Sequence, residues 1–113
     1  MNTDTIRTHV DTYTQARRAY TERLRRVGPR DGHVIVHTRI DGRTYAPTEC
    51  RINAARAAIR RARRSHTVHI HDATGRDGTP MRVVHVRYAP GTWDGVTDLV
   101  DIYEIAVDTL TAL

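Results

Sequence analysis

Between Asp4 and Val27 the apolar residues fall at Ile6, Val10, Tyr13, Ala16, Tyr20, Leu24 and Val27. Spacings of three and four put them on one face of a helix. Thr3 or Asp4 caps its start, Gly28-Pro29 ends it, and its outward side mixes Arg7, Asp11, Arg18, Glu22 and Arg25. The pattern then changes. His33–Ile40 (HVIVHTRI) is rich in β-formers and is followed by Asp41-Gly42, a strong hairpin signal, after which Arg43-Thr44-Tyr45 returns as a short strand. Pro47 suits the first position of a second helix, with Glu49 in its first turn, and that helix is expected to run to about Arg64. Its inner face is small: Ile52, Ala55, Ala58, Ile59 and Ala62.

His66–Asp72 and Met81–Tyr88 alternate as two further strands around the loop Ala73–Pro80. Asp94 can cap a last helix running to the C-terminus, with Val96, Leu99, Val100, Tyr103, Ala106, Val107 and Leu110 inward and Asp94, Asp98, Asp101, Glu104 and Asp108 opposite. The expected order is α-β-β-α-β-β-α. Residues 1–113 then form a single α+β domain, an antiparallel sheet of about four strands packed by helices.

Composition narrows the chemistry. Leu, Ile and Val supply 23 of 113 residues and Phe is absent, so the patterning rather than bulk hydrophobicity argues for a folded chain. All 18 basic residues are Arg, against 13 acids, and the net charge is +5. The lack of Lys excludes Schiff-base chemistry and the lysine of a phosphate loop. A single Cys excludes disulfide frameworks and cysteine-rich zinc sites, and a single serine, Ser65, argues against a serine nucleophile. No apolar run is long enough for a membrane span, and no leader pattern is expected at the polar N-terminus. The exclusive use of Arg fits a GC-rich genome, bacterial or phage. A cytoplasmic protein is expected, or a virion-associated one if of phage origin.

Charge is distributed unevenly. Residues 1–64 hold 15 Arg and six acids, a net of +9, and residues 65–113 hold three Arg and seven acids, a net of −4. Arg pairs phosphates bidentately and stacks on bases. Arg56, Arg60, Arg63 and Arg64 on the second helix are therefore the first candidates for nucleic-acid contact, assisted by Arg17, Arg18, Arg25 and Arg26 on the first. The competing reading is neutralisation by the acidic face of the last helix, within one molecule or across a subunit interface.

Strand alternation collects the histidines. If Val34, Val36, Val68, Ile70, Val84 and Val86 face the helices, the other sheet face carries His37, His69, His71, His85, Arg39 and Arg87. That face is a solvated surface, a polyanion-binding surface, or a metal site built from His69-x-His71 with His85 or His37, zinc being the natural ion. Trp93 either plugs the core edge or anchors a partner, with Asp98, Asp101 and Asp108 as acidic contacts for that partner. Cys50 reads as an inert thiol.

No catalytic spacing emerges and no other cofactor is implied, so the expected protein is a small basic non-enzymatic one. It contacts nucleic-acid backbone through Arg-rich helices with little sequence specificity. The alternatives are an assembly subunit that self-associates or binds a protein partner through oppositely charged surfaces, and a His-ligated metal protein. Full protonation of the seven histidines would raise the charge from +5 to +12, so either activity should respond to pH near neutrality.

Overall fold

A computed structural model describes residues 3–75 and 77–107; within it, the side chains of residues 3–11, 13 and 14 lie outside the description. The elements are α1 (Thr3–Val27), β1 (His33–Ile40), β2 (Arg43–Thr44), β3 (Thr48–Arg51), α2 (Ile52–Ser65), β4 (Thr67–Thr74), β5 (Pro80–Arg87) and β6 (Leu99–Ala106). The class is α+β, with one antiparallel six-stranded sheet. Its order is β2-β1-β6-β5-β4, and β3 pairs with the opposite end of the same β1 edge as β2. No described helix is long and apolar enough to cross a membrane.

The local signals for α1, β1 and the first hairpin are realised. Gly28, at φ +86°, gives its N–H to the Leu24 carbonyl at 3.0 Å and closes α1 with the left-handed residue that helix ends favour. Asp41 and Gly42 have φ of 48° and 85°, the double positive φ of a tight hairpin turn. The Asp41 carboxylate also accepts the N–H groups of Thr97 and Asp98, at 3.0 and 2.8 Å, and so ties this turn to the entry of β6.

Three expectations are corrected. The helix expected from Asp94 is absent over the described residues: Leu99–Ala106 is β6, hydrogen-bonded to β1 on one side and β5 on the other. Polar residues at 98, 101 and 104 imitate a helical stripe. However, Leu99, Val100, Ile102, Tyr103 and Ile105 are all buried, as a central strand with buried side chains on both faces requires. Asp108 and Leu110 lie outside the described residues.

The helix expected from Pro47 begins instead at Ile52. Thr48–Arg51 pairs with His33–Val36, and the Ile52 N–H reaches the Gly32 carbonyl at 2.9 Å. Pro47 precedes an edge strand, where its missing N–H costs no ladder bond.

The apolar stripe expected on α1 is only partly used. Leu24 is 1% exposed and Tyr20 half-buried, but Ala16 is exposed and Val27 is 68% exposed. Ile6, Val10 and Tyr13 lie outside the described side chains.

The core lies between α2 and one sheet face. Ala55, Ile59 and Ala62 pack on Val34, Val84, Val86, Tyr103 and Ile105, with Ile52, Ala58, Cys50 and Val68 at the margin. The small side chains of Ala55 and Ala62 leave room for Tyr103 beneath the helix. Asp101 also lies on this face, accepting hydrogen bonds from Thr38 Oγ1 (2.7 Å) and Tyr88 Oη (2.6 Å). Burial raises the Tyr88 and Tyr103 phenols, Tyr103 to about 12.

α1 attaches to the other face. Glu49 stands opposite Ile35 in the β1–β3 ladder, whereas Cys50, opposite Val34, faces α2. The Glu49 side chain is 1% exposed. It accepts from Tyr20 Oη (2.8 Å) and Arg23 Nη2 (3.0 Å) of α1 and from the Arg30 N–H (2.6 Å). That backbone bond, ahead of the two side-chain donors, brings its pKa down from 4.5 to about 2.

The carboxylate therefore favours the folded chain at every pH above 4.5, and this contribution is lost as pH falls from 4.5 towards about 2. Glu49→Gln should lower stability at neutral pH by about 2 kcal/mol, since charge-assisted bonds become neutral ones. It should also flatten the acid limb of a urea-midpoint-versus-pH curve. A variant with the wild-type midpoint and acid limb would show that Glu49 does not hold α1.

Candidate nucleic-acid interface

The two candidate surfaces lie on opposite sides of the sheet. α2 is INAARAAIRRARRS, a helix without an acid, and its buried edge of Ala55, Ile59 and Ala62 turns the remaining circumference outward. Arg60, Arg61, Arg63 and Arg64 are all exposed. Arg63 and Arg64 fall in the last turn, where cationic side chains oppose the negative end of the helix dipole favourably. Arg56 is half-buried, and its Nη1 donates to Asn53 Oδ1 at 3.3 Å. Past the helix end, the His66 N–H returns to the Ala62 carbonyl (2.7 Å), and its ring lies 4.8 Å from that of Tyr88 and accepts the Ala89 N–H at 3.0 Å.

Six of the described acids are engaged elsewhere. Glu49 holds Arg23 and Arg30, Asp72 pairs with Arg82 at 3.2 Å, and Asp98 pairs with Arg87 at 3.0 Å. Asp101 is bound to Thr38 and Tyr88, Asp41 to the start of β6, and Asp77 to the Thr79 N–H within its own turn. Among the described residues, none of Arg60, Arg61, Arg63 and Arg64 is held in an ion pair or a side-chain hydrogen bond. Arg61 belongs with the predicted set although the sequence reading omitted it. Its position one step beside Arg60, and four residues after the half-buried Ala57, was the available signal.

The α1 arginines do not extend this stripe. Arg18, Arg25 and Arg26 are exposed and Arg17 lies over the Tyr20 ring at 5.5 Å, but α1 joins the fold on the opposite sheet face. The ten arginines grouped by sequence are thus divided, with Arg56, Arg60, Arg63 and Arg64 on one side and Arg39, Arg87 and the α1 set on the other.

The second surface is the sheet face away from α2. The ladder places His37, Ile102, His85 and His69 in one row across β1, β6, β5 and β4, with Arg39, Val100, Arg87 and Thr67 in the next. His71 is on the same face, its ring 5.2 Å from that of His85 and tilted by 33°. Val100 and Ile102 are buried and form the apolar floor. The alternation that collects His37, His69, His71, His85, Arg39 and Arg87 is therefore realised in the fold. Burial, followed by His71, Arg39, His69 and His37, lowers the His85 pKa from 6.5.

Among the described residues no group of three or more His, Cys, Asp or Glu side chains converges as a metal-ligand set. The four histidines share a face but spread over three strands. Trp93 does not plug the core: it is 57% exposed in the loop between β5 and β6. The acids grouped with it do not form a surface beside it. Asp101 is bonded on the α2 side of the sheet, Asp98 is paired with Arg87, and Asp108 is outside the described residues. Cys50 is half-buried and burial raises its thiol pKa, in line with an inert role. The chain matches no known protein family, no curated protein and no solved structure.

A histidine whose pKa is lowered by folding favours the unfolded chain as pH drops through the unfolded value of 6.5. Urea midpoints should therefore fall between about pH 7.5 and about pH 5.5, and fall less in His85→Gln. An NMR titration of the imidazoles should place the His85 midpoint below 6.5. A His85 midpoint above that value would mean that its neighbours do not crowd it.

Proposed function

We propose that the protein binds nucleic-acid backbone through the exposed arginines of α2, with little sequence specificity and without catalysis. The observation that carries this reading is that Arg60, Arg61, Arg63 and Arg64 stand outward together, while Glu49, Asp72 and Asp98 pair with arginines outside α2 and Asp101 is bonded to Thr38 and Tyr88. A helix that stacks four guanidinium groups without a counter-ion repels itself, and a phosphate backbone relieves that repulsion. Recognition by Arg to phosphate oxygens is indifferent to base identity, because it fixes position along the strand rather than reading base edges.

The assembly reading is less favoured. It relied on a continuous acidic helical face, whereas Asp98, Asp101 and Glu104 are distributed on both sides of β6. The exposed Trp93 and the free edge of β4, where Ile70 is 41% exposed, are what remain to support it.

Fluorescence anisotropy with a labelled DNA duplex tests the proposal. Binding should weaken with salt along a log–log slope of about −4, set by counter-ion release from the phosphates contacted. Arg60→Gln with Arg63→Gln should weaken binding roughly tenfold at low salt and reduce the slope by about 2. The double variant should lose affinity equally for unrelated sequences. Wild-type affinity and slope in that variant would overturn the reading.

A further inference from the structure

The sheet face opposite α2 differs from the α2 stripe in one physical respect: much of its positive charge can be switched by protons. Its fixed charges are Arg39 on β1, Arg51 on β3, Arg87 on β5, Glu104 on β6 and Asp98 just before β6, with exposed Arg18, Arg25 and Arg26 of α1 on the same side. The strand positions follow from the register, in which residues alternating with Val100 and Ile102 share the face. Asp98 is in contact with Arg87 at 3.0 Å. Arg87 and Asp98 offset each other, so with neutral imidazoles the face keeps a modest positive charge from its remaining arginines. His37, His69, His71 and His85 can then add four positive charges, and His33 lies on the same face at the β3 end of β1, its Nδ1 3.0 Å from the Asp31 carbonyl oxygen. At the β3 end the same side meets α1, but Glu49 there is already enclosed by Tyr20, Arg23 and Arg30.

The shape suits a strand of bases better than a compact ion. Thr67, His69, His71, His85, Arg87 and Val100 line a shallow depression of about 280 Å³, with Val100 as its apolar floor. Exposed rings on a sheet present faces on which unstacked bases can lie, and adjacent guanidinium groups track the backbone. A duplex offers no such bases. A phosphodiester also keeps its charge throughout the range in which imidazoles titrate, so any pH response belongs to the protein.

We infer that this face is a proton-gated site for single-stranded nucleic acid, in which bases stack on His69, His71 and His85 while Arg39 and the protonated imidazoles hold the phosphodiesters. The inference shares the ligand class of the α2 proposal but uses the other side of the sheet. The two sites differ in what they bind and in what controls them: α2 carries fixed charge and engages a duplex, whereas the sheet face gains further charge as its imidazoles protonate and engages a single strand. The histidines also crowd one another. Burial, followed by the neighbouring His71, Arg39 and His69, disfavours protonated His85 in the free protein, and a bound phosphodiester supplies counter-charge. Binding therefore takes up protons, and affinity must rise as pH falls.

The test compares labelled oligo(dT) with a DNA duplex, by anisotropy on the full chain, at about pH 7.5 and about pH 5.5. Oligo(dT) affinity should rise about tenfold on acidification, beyond any gain shown by the duplex. His69→Gln with His85→Gln should abolish this extra gain and leave duplex binding near pH 7.5 unchanged. Arg60→Gln with Arg63→Gln should weaken the duplex and leave the oligo(dT) gain intact, so failure at one face is separable from failure at the other. Wild-type protein supplies an independent readout, because the NMR midpoint of His85 should move upward when oligo(dT) is added. An acid gain that survives in the histidine double variant, a gain equal for duplex and single strand, or a His85 midpoint unmoved by oligo(dT) would each overturn the inference.

Discussion

Leu99–Ala106 is hydrogen-bonded along both edges and has buried side chains on both faces, and the other strands are placed by it. It joins β1 to β5, so Ile35 and Val83 both pair with Glu104 although they come from opposite halves of the chain. Without β6 the molecule would be two separate hairpin units, each too small to bury an independent core. One side of β6 gives Tyr103 and Ile105 to the packing beneath α2. The other gives Val100 and Ile102 as the floor of the histidine face. A central strand with such distant partners has a high cost of loop closure, so the sheet is expected to form late and cooperatively.

That arrangement explains how a chain with few large apolar residues has two chemically distinct surfaces. α2 packs through alanines, so most of its circumference remains outside and can carry arginine. The opposite sheet face receives no second full helical layer and can carry polar side chains over a thin apolar floor. Acids are placed so that they neutralise only some of these cations. Glu49 anchors α1, Asp98 offsets Arg87, and Asp101 closes a hydrogen-bonded group with Thr38 and Tyr88 beneath α2. The α2 stripe keeps a permanent charge as a result, while the sheet face combines arginines with four titratable imidazoles.

Much of this was legible from local pattern. The inner face of α2, from Ile52 to Ala62, follows from helical spacing, and the collection of His37, His69, His71 and His85 follows from strand alternation alone. Arg61 was overlooked, although its neighbours on the helix were available. β3 was not legible, because Pro47 and Glu49 also suit a helix start, and only the pairing with His33–Val36 and the burial of Glu49 decide against it. β6 was misread because its polar residues recur every three positions. That period belongs equally to a helix with one wet stripe and to a strand that tucks Asp101 and Glu104 against opposite faces.

The sequence by itself determined the alternation within each outer strand, the small inner edge of α2, the hairpin at Asp41-Gly42 and the charge difference between the two halves. All are properties of neighbours within a few residues, where steric and hydrogen-bonding preferences act directly. Tertiary structure alone decided that residues 99–106 are a central strand, that the arginines of α1 and α2 lie on opposite sides, and that Asp72, Asp98 and Asp101 find partners outside the basic helix. Each depends on which distant backbone edge a segment finds. Burial on both faces between β1 and β5 stabilises β6 more than an amphipathic helix exposing one side to water would, and no local pattern contains that partner.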